Sequence, residues 1–158
     1  MSLAAQIAER LLARGEWLAL AESCTGGLVA KLCTDIAGSS GWFERALVTY
    51  SNRAKQELLG VPEALLTSHG AVSESCATAM AEGLLRSSPA QWGIAVTGIA
   101  GPGGGSAEKP VGTVWISWLH RGHAPDTRME LFRGDREQVR AQTAELALSV
   151  LLEKLGHA

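Results

Sequence analysis

Three short segments carry residue types that can do covalent chemistry together: Ala21-Glu-Ser-Cys-Thr-Gly-Gly27, Tyr50-Ser-Asn-Arg-Ala-Lys55, and the glycine-rich run Thr97-Gly-Ile-Ala-Gly-Pro-Gly-Gly-Gly-Ser106. Ser23 follows an apolar run, Trp17 to Ala21, that reads as a buried strand, and a helical pattern begins after Gly26-Gly27. A serine at such a junction presents its hydroxyl at the end of a sheet. It lies beside the N–H groups of a helix's first turn, where negative charge is accepted. In open α/β sheets this is where ligands sit. The plainer role for Ser23 or Thr25 at this place is to cap the helix.

A nucleophilic serine needs a base. None of the four histidines (His69, His120, His123, His157) occupies a comparable strand end, so a histidine triad is not expected. Tyr50, the only tyrosine, and Thr97 each end an apolar, β-rich run. If their strands neighbour the first, Ser23, Tyr50 and Thr97 converge at one sheet edge. Lys55 lies on the first turns of the next helix and can reach back to the same place. A lysine held neutral, or a tyrosine working with it, would then serve as base. A solvated helix lysine is the commoner fate of the residue.

The glycine run is no Walker loop, because Lys109 stands between Glu108 and Pro110. It is no dinucleotide fingerprint either, because it feeds a strand and not a helix. What remains is a backbone-lined loop whose glycines, Gly98, Gly101 and Gly103 among them, allow a ligand to approach closely. A mobile surface loop has the same composition. Arg133, Arg136 and Arg140 cluster at the start of the last helix, able to grip a phosphate bidentately or to form a solvated basic face. Cys24 is turned away from a pocket that Ser23 faces, as small buried cysteines often are. No histidine, cysteine and carboxylate keep metal-ligand spacing, so no metal and no cofactor are expected.

The elements that must position these residues follow from periodicity and punctuation. Apolar spacing at Ala5, Ile7, Ala8, Leu11 and Leu12 predicts a first helix ending near Gly15, and the first strand runs from Trp17 to Glu22. A second helix covers about Gly27 to Ile36, and Arg45–Tyr50 reads as strand two. Ser51-Asn52 caps a helix closed by Gly60, Pro62 opens a short one, and Ser73 caps a longer one. Strand three is Trp92–Thr97, strand four Gly112–Leu119, and strand five, hairpinned on it, Thr127–Phe132; Asp135 caps the last helix. The order predicts a three-layer α/β/α sandwich around a mixed, partly parallel sheet of about five strands, as one domain over residues 1–158.

With 158 residues, 46% hydrophobic and 19% charged, the chain has the make-up of a globular domain with a sizeable core. A net charge of −2 gives no basic field to recruit nucleic acid, so direct nucleic-acid binding is not expected. No apolar run approaches the ~18 residues of a membrane span. The amphipathic start does not read as a signal peptide, and three unpaired cysteines fit a reducing cytoplasm. The large apolar share fits a homo-oligomer.

Together with Gly70-Ala-Val-Ser-Glu74, Lys109-Pro-Val-Gly-Thr-Val114 and Gly134-Asp-Arg-Glu-Gln-Val-Arg140, the three segments resemble CinA C-terminal-type proteins over essentially the whole chain. The chain resembles the stand-alone form, without the molybdopterin-binding-like domain of longer members. The family includes the bacterial nicotinamide-nucleotide amidase. The resemblance therefore implies hydrolysis of nicotinamide mononucleotide to nicotinic acid mononucleotide and ammonia, a step of pyridine-nucleotide recycling. On that implication Ser23 attacks the carboxamide and Lys55, directly or through Tyr50, moves the proton. The N–H groups of Thr25, Gly26 and Gly27 meet the oxyanion, while Thr97, the glycine loop and Arg136 or Arg140 hold ribose and phosphate. Members are also associated with competence and recombination, so a non-catalytic nucleotide-binding or interaction module is the alternative.

Overall fold

The computed structural model describes residues 1–157. A five-stranded sheet is built from β1 (Leu18–Glu22), β2 (Phe43–Val48), β3 (Trp92–Gly98), β4 (Thr113–His120) and β5 (Asp126–Leu131), in the order β2-β1-β3-β4-β5. β1 runs parallel to both β2 and β3, and β4 and β5 join antiparallel, which is the mixed sheet expected. One apolar cluster joins α1 (Leu3–Arg14), α2 (Leu28–Thr34) and α6 (Arg136–His157) to one face of the sheet through Ile7, Leu11, Val29 and Leu151. A second joins α3 (Asn52–Leu59), α4 (Glu63–His69) and α5 (Glu74–Ser87) to the other face through Leu59, Leu66, Met80 and Leu84. The result is a three-layer sandwich. β4 is covered on both faces, which explains its weak alternation.

Caps place the helices where the punctuation put them. Ser51 accepts from the Ala54 N–H, Gly60 closes α3 with positive φ, and Ser73 accepts from the Cys76 N–H. Asp135 receives the Gln138 N–H at the start of α6.

Two boundaries differ from the sequence expectation in ways that matter to the site. β2 lies at Phe43–Val48, two residues earlier than the Arg45–Tyr50 read from β propensity. Its partner β1 ends at Glu22, whose carbonyl takes a last bond from the Thr49 N–H, and the carbonyls of Thr49 and Tyr50 turn instead to Lys55. α2 is shorter than Gly27–Ile36 because Gly27 adopts a left-handed φ of 103° and Asp35 ends the helix. Among the described residues no helix is long and apolar enough to cross a membrane.

Candidate active site

β1 is followed by α2 on one face of the sheet, and its neighbour β2 by α3 on the other. The two connections part at the carboxyl ends of these strands, the place where open α/β sheets take their ligands. Ser23 and Lys55 meet there. The Ser23 hydroxyl lies 3.0 Å from Lys55 Nζ, which donates to the carbonyls of Thr49 at 2.8 Å and Tyr50 at 3.1 Å. Lys55 is 1% exposed, not the solvated helix lysine its position in the sequence would suggest. Burial pushes its ammonium below the usual lysine range. Among the described residues no carboxylate pairs with it. A neutral amine has two N–H bonds and one lone pair. As an ammonium Nζ donates to all three oxygens; as an amine with its N–H bonds on the two carbonyls, its lone pair would be left for the Ser23 O–H.

The turn that carries Ser23 is organised by Glu22, a residue the sequence reading passed over. Its buried carboxylate accepts the Thr25 hydroxyl at 2.6 Å and the N–H groups of Gly27, Val29 and Ala30 at 3.2, 3.0 and 2.9 Å. Glu22 thereby caps α2 from the end of β1, and neither Ser23 nor Thr25 does. Of the expected oxyanion donors, the Gly27 N–H goes to Glu22 and the Gly26 N–H to the Ser23 carbonyl at 3.0 Å. Among the described residues the Thr25 N–H meets no backbone acceptor, and the Cys24 N–H lies against its own thiol. Arg140 grips the other side of the same turn, with Nε on the Cys24 carbonyl and Nη2 on that of Thr25 at 3.1 and 2.9 Å. Burial raises the Cys24 thiol to about 11, which leaves it protonated at neutral pH.

The remaining candidates lie on neighbouring segments. Tyr50 is exposed, and its hydroxyl accepts from Arg136 at 3.2 Å, while only its carbonyl reaches Lys55. Arg136 also donates to the Gly101 carbonyl at 2.8 Å and so ties the glycine loop to Tyr50. Thr97 is buried and its hydroxyl donates to the Ala71 carbonyl at 2.9 Å. Gly98 lies where a Cβ would stand 2.7 Å from Val114, and Gly101 has φ 87° with Val111 filling the space a side chain would need; Gly103 is open. Lys109, the first residue of the 109–114 motif, reaches the His69 carbonyl at 2.6 Å beside Gly70. Its charge and that of Lys55 both bear on the Cys76 thiol, which burial pushes up to about 11. His120 and His123 lie elsewhere: His120 stacks between Trp92 and His123 and bonds Glu16, at the far end of β3 from Ser23.

The model of the CinA C-terminal domain matches residues 1–155. The chain belongs to the CinA C-terminal domain family. Within it, the chain is 51% identical over 154 residues to the nicotinamide-nucleotide amidohydrolase PncC of Escherichia coli (strain K12), covering 98% of this chain and 93% of that one. It is 51% identical over 145 residues to a CinA-like protein of Anaeromyxobacter dehalogenans (strain 2CP-C), covering 92% of this chain and 35% of that protein. Among solved CinA-type structures, the competence damage-inducible protein A of Klebsiella pneumoniae superposes with a TM-score of 0.94 at 42% identity, covering 98% of this chain and 96% of that one. The competence/damage inducible protein of Agrobacterium tumefaciens gives 0.90 at 43% identity, covering 99% and 97%.

Proposed function

We propose that residues 1–158 form a single amidase domain that hydrolyses the carboxamide of nicotinamide mononucleotide, giving nicotinic acid mononucleotide and ammonia, with Ser23 as nucleophile. The observation that carries this reading is the 3.0 Å contact between the Ser23 hydroxyl and a buried Lys55 that has no acidic partner among the described residues. Neutral Lys55 takes the Ser23 proton as Oγ bonds to the carboxamide carbon. The oxyanion meets the Cys24 and Thr25 N–H groups, each such donor being worth about 3–4 kcal/mol in known hydrolases. The C–N bond then breaks, the proton on Lys55 passes to the leaving nitrogen, and ammonia departs. Water, deprotonated by Lys55, attacks the acyl-enzyme, and that proton returns to Ser23 Oγ.

Lys55 fits the base better than Tyr50, whose hydroxyl is held by Arg136. Tyr50, Arg136 and the glycine loop face the nucleotide's ribose and phosphate, and Arg140 holds the turn that aims the oxyanion donors. Thr97 supports the floor through Ala71. The substrate is a small molecule, and the reaction belongs to pyridine-nucleotide recycling in a cytoplasm. Rapid acid quench of protein mixed with nicotinamide mononucleotide, followed by peptide mass spectrometry, tests the covalent step. A nicotinoyl-nucleotide adduct on the peptide containing Ser23 is the expected result. Turnover with no adduct in wild type, or with the adduct on another residue, would overturn the assignment.

A further inference from the structure

We propose that β5 is a dimerisation edge, on which a second copy of this chain adds its own β5 antiparallel about a two-fold axis through Met129. β5 ends the sheet and pairs only with β4. Its register is unbroken, it contains no proline, and it leaves Met129 50% and Leu131 56% exposed. Natural edges are commonly blunted by bulges, prolines or a covering element, and β5 has neither bulge nor proline.

The backbone fixes which residues can pair outward. The Phe132 N–H bonds the Gly112 carbonyl across the β4–β5 ladder, and the register sets Thr113 against Leu131. In an antiparallel pair such bonded positions alternate. Asp126, Arg128 and Glu130 therefore turn their backbone groups to β4, and Thr127, Met129 and Leu131 turn theirs outward. The bond from the Ile99 N–H to the Thr113 carbonyl gives the same parity, since Thr113 then faces β3 and Val114 faces β5.

Charge selects one register. With Met129 opposite Met129 of the second copy, Thr127 meets Leu131 of that copy and all outward groups find partners. Arg128 and Glu130 of opposite copies then sit as non-hydrogen-bonded neighbours, where side chains approach most closely and opposite charges stabilise. Arg128 holds Asp126 through Nε and Nη2, and its Nη1 remains for that carboxylate. Sliding the axis to Thr127 puts Met129 against Pro125, which has no N–H, and Arg128 against an Asp126 already held by Arg128 and Lys154 of its own chain. Sliding it to Leu131 sets Glu130 against Phe132 and loses the ion pairs. The patch is self-complementary in one register only, as a two-fold interface requires. β3 and β4 separate it from β1, so this inference is independent of the amidase reading.

Sedimentation equilibrium of the full chain tests it. Wild type is expected at twice the 16.6 kDa of one chain, and Met129→Pro at half the wild-type mass with unchanged circular dichroism. Proline there removes only an outward N–H, which an edge strand tolerates. Glu130→Arg should weaken association roughly tenfold, and adding Arg128→Glu to it should restore the pairing. That charge swap decides the matter if the proline variant does not fold. A monomeric wild type would overturn the proposal. So would an oligomer whose mass neither Met129→Pro nor Glu130→Arg changes.

Discussion

Lys55 Nζ approaches Ser23 Oγ to 3.0 Å from a helix on the opposite side of the sheet from the one Ser23 introduces, and two backbone carbonyls hold it there. That relationship underlies the proposed role of the lysine as base. An ammonium in this place loses its water, finds no carboxylate among the described residues, and is disfavoured against the neutral amine. Below its depressed value Lys55 is protonated and cannot accept the Ser23 proton. The rate constant kcat/KM should therefore rise with pH through that value, which lies below the ordinary lysine one, and then level. Lys55→Arg, always charged, should lose about 10²- to 10⁴-fold in kcat at every pH. A pH profile of both proteins checks this, and an unchanged profile in Lys55→Arg would remove Lys55 from the base role.

Glu22→Gln replaces an acceptor of four hydrogen bonds by a group that presents an NH2 to some of the same donors. Hydrogen bonds to charged groups contribute about 1.5–3 kcal/mol each, and buried donors left without a partner are costly. The substitution should lower stability by about 2–4 kcal/mol in urea unfolding and lower kcat with it, since the turn that aims Ser23 is the structure lost.

Gly83 is remote from Ser23 in sequence yet lies against the end of the helix that carries Lys55. A Cβ there would stand 1.8 Å from the carbonyl oxygen of Leu59, the last residue of the helix that carries Lys55. Gly83→Ala must push α3 away from α5. A cost of about 1–3 kcal/mol or more is expected, with a fall in kcat larger than any rise in KM, measured by urea unfolding and steady-state kinetics.

Arg136 holds the glycine loop to the Tyr50 hydroxyl. If it meets the phosphate, Arg136→Ala should raise KM for nicotinamide mononucleotide roughly tenfold or more, as losing a charge-assisted contact does, and leave kcat within a small factor. The same variant should act on nicotinamide riboside, which lacks the phosphate, much as wild type does.

Much of this site was legible in the sequence where local rules act. Ser51 and Gly60 bound α3 and so fixed the turn on which Lys55 sits, and the apolar run before Glu22 put Ser23 at a strand's end. The long-range contacts were not legible. Nothing in the periodicity of α3 marks Lys55 as buried, because its burial comes from the sheet edge and from the packing of α3 against α5 at Gly83. Glu22 reads as the polar stop of a strand, although its carboxylate caps the next helix through N–H groups as far on as Ala30, a reach that short capping patterns do not describe. β2 was misplaced because Val48-Thr-Tyr50 favours a strand locally, whereas the ladder ends where β1 ends and the next two carbonyls serve Lys55.

Ammonia release from nicotinamide mononucleotide by purified wild type and Ser23→Ala, side by side, tests the central claim most directly. The account predicts steady release by the first and none above background by the second, with both folded by circular dichroism. Release by Ser23→Ala at a rate near wild type would contradict the serine mechanism. A folded wild type that releases no ammonia would contradict the amidase assignment itself.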